Sequence, residues 1–163
     1  MPLAIRTIIV AALFMSATDF AFGWSPKWDQ CKDINNKATA DRALAACNDI
    51  LKDRSEQPNY AMALRNRCGI KYTKGDYDGA LADCDRALEL EPKSDIGYER
   101  RGLSWLEKGD DAHAMADLES SLQLNPDNPY SLLARGHLRQ KRGDTAGGDA
   151  DVARAKKIKP DIE

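Results

Sequence analysis

The chain is short of most things an enzyme uses. It has two histidines, His113 and His137, in 163 residues, and they stand far from each other and from the cysteines. There is no Gly-rich phosphate loop behind a strand and no Gly-x-Ser-x-Gly elbow. A Ser-His-Asp arrangement would therefore rest on one of two isolated imidazoles, and His113 reads as a surface residue. No Cys-x-x-Cys is present, which removes a redox dithiol, a haem attachment site and a zinc ribbon. Excess charge of either sign is missing too. The formal net charge is −2 with acids and bases interspersed, so nothing calls for nucleic acid or anionic lipid as partner. Neither a catalytic residue nor a metal or cofactor is expected.

Long apolar runs are also scarce. The one candidate is Thr7–Ala17, preceded by Arg6, ended by Asp19 and followed by Ala21-Phe22-Gly23. A positive charge, a short apolar run and small residues at the positions a signal peptidase inspects form the pattern of a secretory signal. Residues 1–23 are read as that signal, with the mature chain starting near Trp24 and no membrane contact after cleavage. The alternative is an uncleaved anchor, although the run falls short of the roughly 20 residues that span a bilayer. Four cysteines remain beyond it: Cys31, Cys47, Cys68 and Cys84. An even number in an exported chain suggests disulfides, and the expected location is the periplasm or outside the cell.

What is present is a repeat. Pro92, Pro126 and Pro160 recur at 34 residues, as do Gly75-Asp76, Gly109-Asp110 and Gly143-Asp144. Ala80, Ala114 and Gly148 form a third column, and Cys68, Gly102 and Gly136 a fourth. Each unit reads as two helices. In 61–94, Leu64, Cys68, Ile70 and Tyr72 mark the first helix, which Gly75 stops. Asp76 then caps a second helix bearing Ala80, Leu81, Cys84, Ala87 and Leu88, and Pro92 ends it. A fixed period argues for stacked pairs, each burying its face on the next.

Tyr98, Gly102, Trp105, Gly109, Ala114, Leu118 and Pro126 together resemble a tetratricopeptide repeat. The resemblance covers three copies, 61–94, 95–128 and 129–162, and implies an all-α fold, a right-handed α-solenoid of antiparallel helix pairs. Aligned on the cysteines, 24–60 lies over the next copy at an offset of 37 residues and reads as a degenerate N-terminal pair, making about four pairs. Its tryptophans, Trp24 and Trp28, are placed to close that end. Short cysteine-bearing leaders before such repeats resemble those of small exported alphaproteobacterial proteins. The third copy departs from the pattern. Arg139 replaces an aromatic, and Gly147-Gly148 weaken the second helix by roughly 1 kcal/mol each, so 146–159 is expected to be the least stable element.

The resemblance implies a function by binding. In the family, first helices line a concave groove that takes a protein or peptide. By column, the groove would present Lys32, then Arg65, Asn66, Gly69 and Tyr72, then Ile96, Arg100, Leu103 and Leu106, and finally Tyr130, Leu133, His137 and Lys141. Some members grip a terminal carboxylate with Lys, Asn and Arg. Asn66 and Arg100 match two of those columns, while Trp28, Lys32 and Ile96 break the rest. The acids Asp83, Asp85, Asp110, Asp111 and Asp117 are assigned to helix starts or solvated faces. For the cysteines, a spacing of 16 residues in both pairs points to Cys31–Cys47 and Cys68–Cys84. Each would cross the seam between the two helices of one copy. Four free buried thiols, or a Cys47–Cys68 link between copies, remain the alternatives.

Overall fold

The computed structural model describes residues 26–34 and 36–162. Among them are eight α-helices and no strand. The helices are α1 (Pro26–Cys31), α2 (Ala40–Lys52), α3 (Tyr60–Lys74), α4 (Tyr77–Leu90), α5 (Asp95–Glu107), α6 (Asp111–Leu124), α7 (Pro129–Lys141) and α8 (Thr145–Ile158). They pack as α1 with α2, α3 with α4, α5 with α6 and α7 with α8, and each pair rests on the next. The three residues by which the first copy exceeds the others lie in a 3-10 turn, Arg54–Asn59.

The turn within each of the last three pairs is built alike. Gly75, Gly109 and Gly143 take φ of 80°, 79° and 93°, the left-handed region that closes a helix C-terminus. The aspartate that follows caps the next helix. Asp76, Asp110 and Asp144 each accept a 3.0 Å bond from a backbone amide three residues on.

The helices of a pair meet through small residues. At α7 and α8 the approach is closer than at α5 and α6: a Cβ on Gly148 would come within 2.6 Å of the Gly136 carbonyl oxygen, and one on Gly136 within 2.9 Å of the Gly148 carbonyl, against 3.3 Å from Gly102 to the Ala114 carbonyl. Gly148 thus does more than weaken α8. It admits the neighbouring backbone, which sets a packing gain against its poor helix propensity. The outer face of α8 is polar, with Asp149, Arg154, Lys156 and Lys157 exposed. Ile162, only 6 % exposed, tucks back onto Leu122, Leu132, Leu133 and Ala155.

At the other end, Trp28 is buried with Ala43, Ile50 and Ile70, and its indole N–H donates to Glu56 at 3.1 Å. Trp24 and the whole of 1–23, including the apolar run and the cleavage site expected after Gly23, lie outside the described residues. The sulfurs of Cys31 and Cys47 lie 2.08 Å apart and those of Cys68 and Cys84 2.12 Å, both at disulfide distance. The Cα–Cα separations are 4.9 and 5.5 Å, within the range a bridge accepts. All four cysteines are fully buried, each pair at the seam between its two helices.

Beside each of the last three seams sits a charged pair. Arg67, Arg101 and Arg135, on α3, α5 and α7, fork onto Asp83, Asp117 and Asp151 on the facing helix, with Nε–Oδ2 distances of 2.8 Å in all three. The same arginines reach backward: Arg67 donates to Asn48 on α2 and Arg101 to Asp85 on α4, both at 2.7 Å. Asp83 and Asp117 are 5 % and 6 % exposed. This corrects their assignment to solvated faces: they are buried acids matched by bidentate guanidinium groups. The match holds the Arg101 and Arg135 guanidinium groups above their ordinary pKa, chiefly through the bond to Asp117 and Asp151 respectively.

Candidate functional site

The first helices of the last three pairs curve around one cleft of about 850 Å³. Its floor is apolar: Leu103 and Leu106 from α5, with Leu133, Ala134 and Leu138 from α7. The side chains recur at helical spacing, so each helix turns one apolar edge inward. Ile34, from the segment after α1, closes one end, its carbonyl accepting a 3.0 Å bond from the Thr73 hydroxyl.

Of the residues assigned to a groove from the sequence, Tyr72, Arg100, Leu103, Tyr130, His137 and Lys141 line this cleft, as do Gly69, Ile96, Leu106 and Leu133. Lys32, Arg65 and Asn66 do not. Helix α1 ends at Cys31, so the first pair has no long inner helix to carry Lys32 inward, and Lys32 lies 3.6 Å from Asp29. Arg65 turns sideways to Glu91 at 3.2 Å and to the Ser94 hydroxyl at 3.1 Å. Asn66 is buried and accepts from Arg100 at 3.4 Å. The two residues that match a carboxylate grip therefore bond to each other.

Arg100 also donates to the Arg65 backbone carbonyl. Burial of its guanidinium, together with the nearby charge of Arg65, lowers its pKa to about 10. Its neighbour Glu99 is pushed up by burial, against a 2.8 Å bond from the Asn128 side-chain amide and the charge of Arg100. Glu99, Glu107 and Asp111 were not assigned to the groove, yet each lines it. The signal available for Glu107 was its place four residues after Leu103, on the same helical edge.

At one lip, where α3 and α5 end, Tyr72 and Tyr77 both donate through their hydroxyls to Glu107, at 3.4 and 3.2 Å. Burial first, and Glu107 second, raises the Tyr72 phenol to about 12. Across the cleft, Asp111 pairs with Lys141. At the opposite lip Lys159 donates to the Tyr130 hydroxyl at 2.6 Å and lies 4.7 Å from the ring centre. Among the described residues, no three histidine, cysteine, aspartate or glutamate side chains gather as a metal set.

Compared by sequence, the chain matches no family model and no curated protein. Solved structures do match. The first tetratricopeptide domain of Spaghetti (RPAP3), bound to the HSP90 peptide SRMEEVD, superposes with a TM-score of 0.58 at 19 % identity, over 63 % of this chain and 81 % of that one. The chain has the tetratricopeptide-repeat fold. A tetratricopeptide repeat protein from Parabacteroides merdae gives 0.66 at 20 % identity, over 83 % of this chain, which spans about half (53 %) of that protein. MamA from Desulfovibrio magneticus gives 0.66 at 15 %, over 85 % of this chain and 76 % of its own. At these identities the likeness is one of fold, and function rests on the cleft itself.

Proposed function

We propose that the protein is an exported, non-catalytic adaptor that binds a protein or peptide partner in the concave cleft. The observation that carries this is the apolar floor, Leu103 and Leu106 on α5 with Leu133 and Leu138 on α7, in a concave cleft with polar lips. A concave apolar surface with a few convergent polar groups is the ordinary form of a binding site. That the RPAP3 domain holds a peptide on the same fold supports the reading by analogy. A terminal carboxylate is not the favoured ligand here, since Arg100 and Asn66 are engaged with each other.

Leu103→Glu would place a charge on the cleft floor, whereas Arg86→Glu, at an exposed position of α4, would not. Cross-linking pull-down from envelope extract should recover a partner with the wild type and Arg86→Glu, and lose it with Leu103→Glu. Equal recovery by all three would remove the cleft as the binding site. The exported location is supported by the pattern of residues 1–23 and by two cysteine pairs at disulfide distance, since disulfides form and persist chiefly in oxidising compartments. Mass spectrometry of the chain recovered from its native envelope should show a start near Trp24. An intact Met1 would favour a stack anchored to the membrane instead.

A further inference from the structure

The charges around the cleft are unequally satisfied. Asp111 has Lys141, and Glu99 has an Asn128 bond, the adjacent Arg100 and a burial that disfavours its ionised form. Glu107 is different: it is exposed, lines the cleft, and among the described residues takes its bonds from two phenols and no cation. The two lysines at this lip are directed elsewhere, Lys74 onto Asp41 and Lys108 onto Asp78.

Three further features favour positive charge at this point. Glu107 is the last residue of α5, where helix carbonyls gather negative potential. The last turn of α5 carries no basic residue, while those of α3 and α7 carry Lys71 and Lys74, and Arg139 and Lys141. Finally, Tyr72 and Tyr77, with ring centres 5.8 Å apart and tilted by 57°, stand beside the carboxylate, and aromatic rings favour a neighbouring cation. The two phenols each face a different carboxylate oxygen, so an incoming ammonium or guanidinium meets an acceptor flanked by neutral donors.

We infer that the lip formed by Tyr72, Tyr77 and Glu107 is a subsite for a lysine or arginine side chain of the partner, next to an apolar stretch of that partner lying on Leu103 and Leu106. The inference rests on the cleft being the binding site. It makes the preferred partner a segment that is apolar and basic, opposite in sign to an acidic tail.

Random dodecapeptides displayed on phage, panned against the oxidised full chain, give the probe. Enriched sequences should share a Lys or Arg at a fixed distance from apolar residues. For a synthetic peptide from that set, Lys→norleucine and Glu107→Gln should each weaken Kd about tenfold, and both together little more than either, as for one shared contact. Enriched sequences with no basic position, or a lysine effect undiminished in Glu107→Gln, would overturn the subsite. Enriched peptides indifferent to Leu103→Glu would instead overturn the cleft reading on which it rests. If panning enriches nothing, acetyl-Leu-Leu-Lys-amide titrated into labelled protein should shift Tyr72, Tyr77 and Glu107 resonances more than its norleucine analogue. Equal shifts from the two would overturn the proposal.

Discussion

Removing Arg101 alone should cost more than removing Arg101 and its partner together. Asp117 has a side chain only 8 % exposed, and Arg101, at 24 %, provides both of its bonds, at 2.8 and 2.7 Å. Arg101→Met leaves a buried carboxylate without its counter-charge. Breaking a buried pair from one side costs about 3–5 kcal/mol, whereas replacing both partners by apolar groups is often neutral. Because Arg101 keeps a quarter of its surface in water, the lower end applies, and a loss of about 3 kcal/mol is expected. The bond to Asp85, a carboxylate 55 % exposed, adds little. Arg101→Met with Asp117→Leu should recover most of the loss, giving a coupling of about 2 kcal/mol. Urea denaturation read by circular dichroism and, in a Trp24→Phe, Trp28→Phe background, by the fluorescence of Trp105 on the same helix measures it. Coincident curves would license a two-state treatment, which a repeat array does not guarantee. A single substitution costing under about 1 kcal/mol, or a double loss equal to the sum of the singles, would refute the claim that these pairs hold the seams.

Non-reducing peptide mapping should join Cys31 to Cys47 and Cys68 to Cys84, and reduction should cost about 3 kcal/mol for each loop on the chain-entropy account; four free thiols, or unchanged stability, would count against it. Glu99→Gln should stabilise the fold at neutral pH. Its carboxyl is raised in the folded state, so ionisation costs stability as pH climbs through that raised value, and the difference from wild type should vanish well below the ordinary glutamate range. Thermal melts from pH 3 to 8 would show an advantage growing with pH, and a constant offset would contradict the argument. In alkaline titration by NMR, Glu107→Gln should lower the Tyr77 phenol, for which Glu107 is the leading cause, and bring Tyr72 down from about 12 only in part, since burial leads there. Gly148→Ala should destabilise despite alanine's helix preference, by about 1–3 kcal/mol, because its methyl would meet the Gly136 carbonyl and the Gln140 side chain; an unchanged melting curve would refute the close crossing.

The fold was legible because turns and caps obey local rules. Gly-Asp every 34 residues placed three turns, and the prolines marked the ends of the second helices. Lys32 and Arg65 were expected in the cleft and do not line it, for two reasons. Carrying groove columns between copies assumes equal helices, and α1, six residues long, breaks that assumption at Lys32. A long side chain is also free to leave its column, as Arg65 does toward Glu91, which a reading by face would place apart from it. The Arg–Asp pairs were written at the same 34-residue period, at 67, 101 and 135 and at 83, 117 and 151. They passed unread because charged residues on amphipathic helices are assigned to water by default, and only the crossing of two helices shows that one charge buries the other.

The cysteine pairs divide the array unevenly. Both seams of the first half carry one, while at the corresponding crossings of the second half Gly102 meets Leu118 and Gly136 meets Val152 by contact alone. In a one-dimensional array, where each unit leans only on its neighbours, such an arrangement pins one end and leaves the other to fray. Two of the three helices around the cleft, α5 and α7, belong to the unpinned half. Opening there would dismantle the binding surface while α1 to α4 stay folded. A bound partner, by spanning α3 to α7, would pull the fraying boundary outward, so that occupancy and the length of ordered array rise together.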